Sequence, residues 1–235
     1  MVDEELKLKT EVEKPPIKAV IFDLDGLLVD SEPLWTEARN KVLGEFGVGY
    51  DEEDKRLLMG RDYRVGLEYL INRYKLVVSV HDLAIKEQKI LEGLFKKKLK
   101  LMPGAKELIN EVDNSELKKA IATSSPRSRL ESALNKLNLK GFSVIVTGDD
   151  IVHGKPDPEI FLKAAQKLWV DPASCLVLED SPYGIEAANK AGMKSVAVVD
   201  SRFSSIKSFE GVSKPDLIVN SLGHLTVDEL EGLFE

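Results

Sequence analysis

A chain of 235 residues, 43% hydrophobic and 31% charged, has the make-up of one large folded domain or of one domain carrying a smaller one. Its net charge of −7, with a pI near 5.2, sets it against nucleic acid and anionic membrane as partners, so any phosphate site must supply its own local positive charge. The single cysteine, Cys175, excludes an internal disulfide framework, and His81, His153 and His224 lack the spacing of zinc ligands.

Residues 1–16 are charged, lack the apolar centre of a secretory signal and end at Pro15-Pro16, which predicts a loosely ordered extension. No apolar run approaches the ~20 residues of a membrane span. A cytoplasmic monomer is expected. Ile17–Phe22 is an apolar run between proline and aspartate and predicts a buried strand. Pro33 then opens a helix with a stripe of Leu34, Ala38, Val42 and Phe46, stopped by Gly47. Asp51 and Ser79 read as later N-caps, the second before a helix bearing Leu83, Ile90, Leu91, Leu94 and Phe95. Lys96, Lys97, Lys98 and Lys100 suit a solvated helix end.

Beyond residue 98 the pattern alternates. Strands are predicted at Lys119–Thr123, Val144–Thr147, Cys175–Glu179, Ser195–Val199 and Leu217–Val219. Between them run helices over Arg129–Leu139 and from Pro158 onward, the latter with Ile160, Phe161, Ala164, Ala165 and Leu168 on one face. Alternating strands and helices argue for an α/β fold with a Rossmann-like parallel sheet. The expected division is a core of residues 17–32 and 99–235, with a small α-helical domain, 33–98, inserted after the first strand.

The chemistry-bearing residues fall at strand ends. Asp23 and Asp25 follow the first strand two residues apart, and such close carboxylates need a cation between them or a shared proton. Hard oxygen donors of this kind suit Mg²⁺, and Gly26 lets the backbone turn with its amides free for phosphate oxygens. Thr123 and Ser124 end the second strand and offer hydroxyls. Lys155 follows the third strand with a positive charge, and Glu179 and Asp180 end the fourth. Each has a plain structural use as well: a strand-end cap for Thr123, a surface lysine for Lys155, an N-cap before Pro182 for the carboxylates. Their succession along one sheet edge favours chemistry.

The segments DLDGLLVDSEP, IATSS, GKPDPEIF and LEDSPYGIEAA resemble the signature segments of the haloacid dehalogenase superfamily, in order, over nearly the whole chain from Ile17. The resemblance implies a phosphatase with Asp23 as nucleophile and Asp25 as general acid and then base. It further implies Thr123 and Lys155 as phosphate holders, with Ser124 and Gly26 adding hydrogen bonds. The implied metal set is Asp23, Asp25 (through its carbonyl), Asp180 and Glu179. The subgroup it looks most like comprises sugar- and polyol-phosphate phosphatases related to 2-deoxyglucose-6-phosphatase, with pseudouridine-5′-phosphatases and β-phosphoglucomutases similar over the core. A small phosphorylated metabolite is thus the expected substrate. Arg61, Asp62 and Arg64 in the insert are candidates for reading it. Trp35 stands where mutases of the group carry a histidine, which favours hydrolysis over phosphate transfer within a sugar. A receiver-like phospho-switch also uses aspartates, a hydroxyl and a lysine, but it needs neither the insert nor an acid at Asp25.

Overall fold

The computed structural model describes residues 15–58 and 63–235. Its centre is a six-stranded, wholly parallel sheet: β1 (Ala19–Phe22), β2 (Lys118–Ala122), β3 (Val144–Val146), β4 (Cys175–Glu179), β5 (Lys194–Val198) and β6 (Leu217–Val219). The strand order β3-β2-β1-β4-β5-β6 reverses direction between β1 and β4. This is the Rossmann-like α/β fold that the alternation predicts. A parallel sheet buries both faces, so its strands are apolar throughout rather than alternating with polar residues. In β1, Val20 and Phe22 enter one apolar cluster and Ala19 and Ile21 the other. Leu176 and Leu178 of β4 follow the first pair, and Cys175 and Val177 the second. Cys175 is therefore a buried strand thiol, and burial pushes it up to about 12.

Four helices separate β1 from the rest of the core: α1 (Glu32–Gly44), α2 (Glu52–Leu58), α3 (Tyr63–Tyr74) and α4 (Val80–Lys98). They share apolar clusters of their own, one joining Leu43, Tyr50, Leu58 and Leu70, another Val42, Leu67 and Leu83. Leu91, Leu94 and Phe95 of α4 instead join the main core. Asp51 and Ser79 cap as expected, accepting from the backbone N–H of Asp54 and of Asp82. Helix α1 ends before Gly47, because the Glu45 N–H already bonds back to Leu43 and Val42, while Gly47 takes the left-handed turn at φ +75°.

Helices α5 (Ala105–Asp113), α6 (Arg127–Leu137) and α9 (Val227–Gly232) pack on one sheet face, α7 (Glu159–Leu168) and α8 (Pro182–Lys190) on the other. Pro158 caps α7 rather than opening it. Among the described residues no helix is long and apolar enough to cross a membrane.

Candidate active site

The reversal of strand order opens a crevice at the carboxyl ends of β1 and β4, the place where open α/β sheets hold ligands. Asp23 is the first residue beyond β1, and its N–H donates to Leu178 O of β4 at 3.0 Å, so its backbone is held by the neighbouring strand. Gly26 follows at φ +79°, and a Cβ there would fall 2.0 Å from Asp180 Oδ2. Only glycine lets this turn come so close to the second acidic pair.

Lys155 enters from the loop before α7 and is buried, against the expectation for a surface lysine. Its Nζ donates to Asp23 Oδ1 and to Glu179 Oε1, each at 2.6 Å, and to Ala122 O at 3.4 Å. All three of its donors are used. Burial works against its charge, but the two carboxylates outweigh burial and raise its pKa. Glu179 Oε2 accepts from Ser181 N at 2.7 Å and Oγ at 2.9 Å. The Ser181 hydroxyl in turn accepts from Gly184 N at 3.1 Å and caps α8. Ser181 thus takes the capping task and leaves Glu179 and Asp180 to the site.

Asp23, Glu179 and Asp180 each offer an oxygen within 4.8 Å of the others, and all three are buried. Burial, with the Glu179 and Asp25 charges, pushes Asp23 up to about 7 although Lys155 pulls the other way. Asp180 is raised well above the carboxylate range by burial and by Glu179 and Asp23. One ammonium cannot neutralise three buried carboxylates, and hard oxygen donors converging on uncompensated charge fit a divalent cation. The Asp25 carboxylate lies outside this group: Oδ2 accepts from Ser125 Oγ at 2.6 Å. That side-chain direction is compatible with the sequence expectation that Asp25 would meet a metal through its carbonyl.

Thr123 lies just past β2, its Oγ1 accepting from Ser125 N at 3.1 Å, which leaves its proton to donate. Ser124 Oγ is buried without a partner among the described residues. These groups line a cavity of about 350 Å³ whose far wall is built by α1–α3. Trp35, Arg39, Tyr50, Lys55, Arg56 and Tyr63 form much of that wall. Arg39 is anchored by Glu87 Oε1 at 2.9 Å and Tyr50 OH at 2.8 Å. Arg64 is exposed and does not line the cavity: Tyr63 and Gly66, three apart, form the cavity-facing stripe of α3, and position 64 points about a quarter-turn away. Arg61 and Asp62 lie outside the described residues. The sequence reading missed Ser125, Arg129 and Arg39. Ser125, the third hydroxyl of Thr123-Ser124-Ser125, was open to detection, and so was Arg39, one helical turn from Trp35.

Residues 20–198 match the family described as haloacid dehalogenase-like hydrolase. A phosphorylated carbohydrates phosphatase of Thermotoga maritima is 36% identical over 212 residues, covering 88% of this chain and 98% of that protein. Hexitol phosphatase B of Escherichia coli is 32% identical, over 92% of this chain and 97% of its own. A crystal structure of β-phosphoglucomutase from Clostridium difficile superimposes with a TM-score of 0.80 at 26% identity, covering 93% of this chain and 97% of that one.

Proposed function

The chain belongs to the haloacid dehalogenase-like hydrolases, and on that footing we propose that it is a Mg²⁺-dependent phosphatase of small sugar or polyol phosphates that works through a phosphoryl group carried on Asp23. The observation that carries this reading is the 2.6 Å contact of Lys155 with Asp23 Oδ1, inside a buried carboxylate cluster that opens onto a cavity. Lys155 pins one oxygen and leaves the other to attack phosphorus. Thr123, Ser124 and the turn at Gly26 supply hydrogen bonds to the phosphoryl oxygens.

Mg²⁺ held by Asp23, Asp180 and the Asp25 carbonyl would supply charge neutralisation for the incoming dianion. Both Glu179 oxygens are engaged by Lys155 and Ser181, so its part is to fix the lysine beside that cation. As the O–P bond to Asp23 forms, the bond to the substrate alcohol breaks, and Asp25 gives its proton to the departing oxygen. In the second half, Asp25 takes a proton from water as the water attacks the phosphoryl group, releasing phosphate and restoring Asp23.

Helices α1–α4 would act as a cap over the cavity, shutting out bulk water and reading the alcohol part of the substrate. Arg39, Lys55 and Arg56 are placed for that reading, Arg64 is not, and Arg61 keeps it as a proposal from the sequence. Trp35 lines the cavity and has one donor and no acceptor, so it cannot stand in for a mutase histidine. One chain supplies every residue named here, which fits a monomer. The test is phosphate release from a panel of sugar, polyol and nucleoside monophosphates, with Asp23→Asn alongside. Release by the wild type and a loss of at least about a thousandfold in the variant are expected. Turnover of the variant within tenfold of wild type would refute the assignment.

A further inference from the structure

The Asp25 carboxyl has one oxygen satisfied and one not. Oδ2 accepts from the Ser125 hydroxyl at 2.6 Å, while Oδ1 is buried without a hydrogen-bond partner among the described residues. Ser125 Oγ accepts in turn from Arg129 Nη1 at 3.2 Å. Ser125 and Arg129 are each 5% exposed, and both line the cavity with Asp25. Arg129 sits in the first turn of α6 and reaches toward the helices of the far wall. Its guanidinium lies 4.1 Å from the centre of the Trp35 ring and 5.5 Å from that of Tyr63, with Nη2 3.5 Å from Gln88 Oε1. Of the other cations around the cavity, Arg39 pairs with Glu87, Lys55 with Glu52, Lys155 with Asp23 and Arg202 with Asp30, and Arg56 is exposed to solvent. No ion pair of Arg129 is found among the described residues, so its charge is buried at a cost that calls for a use.

A guanidinium only donates, so Ser125 meets it with a lone pair. The Ser125 proton then has one acceptor, Asp25 Oδ2, because turning it toward Arg129 would face it to a positive charge. Oδ2 is thereby held as an acceptor, and a proton carried by Asp25 must sit on Oδ1, the oxygen left for the substrate. Without Arg129 the hydroxyl is free to rotate, and Asp25 can spend its proton on Ser125 Oγ instead.

We infer that Arg129 is a positioning residue for the acid step: acting through Ser125, it orients the Asp25 carboxyl so that Oδ1 carries the proton to the leaving oxygen. The inference rests on the phosphatase reading and extends it to Ser125, the last residue of IATSS, and to Arg129, outside the signature segments. It is tested by kcat/KM on two esters of similar shape, p-nitrophenyl phosphate and phenyl phosphate. The first leaves readily as an anion, whereas the second needs a proton. Because kcat/KM covers steps only through departure of the alcohol, the later attack by water does not enter.

Arg129→Met is expected to lower kcat/KM for phenyl phosphate at least about tenfold more than for p-nitrophenyl phosphate. Arg129→Lys, which keeps a cationic donor, should recover much of that loss. Ser125→Ala removes a single oxygen, so it tests the same chain should Arg129→Met fail to fold. It should reproduce the leaving-group-selective loss and add little to Arg129→Met in the double variant. Equal losses on both esters, or none, would overturn the inference while the phosphatase reading stands. A wild type inert toward both esters and toward the wider panel would overturn the phosphatase reading and this inference with it.

Discussion

The Lys155 ammonium lies 2.6 Å from Asp23 Oδ1, and both groups are buried. A buried pair contributes little net stability over an apolar substitute, but removing one partner strands the other. Lys155→Met should therefore destabilise the metal-free protein by about 3–5 kcal/mol and abolish phosphate release. Asp23→Asn added to it should restore part of that stability, since one stranded charge is gone. Urea denaturation of wild type and the two variants measures this, and a single Lys155→Met as stable as wild type would contradict it.

Metal removal is the second expectation. The proposed donors, the Asp23 and Asp180 carboxylates and the Asp25 carbonyl, are all oxygens. Exhaustive chelation should stop phosphate release, and excess Mg²⁺ should restore it. Ca²⁺ should inhibit, because its larger and looser shell misplaces the Asp23 oxygen. Full activity after chelation would refute the ligand assignment.

The metal-free protein should also lose stability as pH rises. Asp23 is pushed up to about 7 and Asp180 is raised as well, in each case by burial first. In the unfolded chain such carboxyls titrate near 4. Between about pH 4 and 7 the folded state then binds more protons than the unfolded one, so stability falls across that window. Melting temperatures in EDTA at the two ends of the window, with Asp23→Asn as control, read the effect. Mg²⁺ should lift the high-pH value most. A metal-free protein whose stability rises across the window, with Asp23→Asn rising alike, would contradict the prediction.

Gly184→Ala should fail where helix propensity favours it. Alanine is better than glycine inside a helix by about 1 kcal/mol. At Gly184, in α8, the new Cβ would stand 1.8 Å from Glu179 Oε1, whose carboxylate is held by Lys155 and Ser181. Displacing it breaks the buried pair, so a lower melting temperature and a large loss of turnover are expected. An unchanged or higher melting temperature would show that Glu179 has room to move.

The sequence by itself determined the layers of this protein and the sheet edge at which its candidate site residues gather. β4 and β6 run over Cys175–Glu179 and Leu217–Val219 as the apolar runs predict, because a strand buried on both faces has to be apolar along its length. Asp23, Thr123, Glu179 and Asp180 were legible for a related reason, since polar residues that close such runs lie at strand ends, whereas Lys155, in the loop between β3 and α7, was legible only as one of that series. Directions within the site were not legible. Lys155 meets Asp23 across 132 residues and Ser125 meets Asp25 across 100, and no local pattern records such pairings. Only the tertiary structure decided that Asp25 turns away from the carboxylate cluster toward Ser125, that Ser181 rather than Glu179 or Asp180 caps α8, and that Arg39 rather than Arg64 faces the cavity. Spacing along the chain sets which residues reach the sheet edge, but side-chain direction there is set by neighbours from other strands and helices, through burial and hydrogen bonding that exist only once the chain has folded.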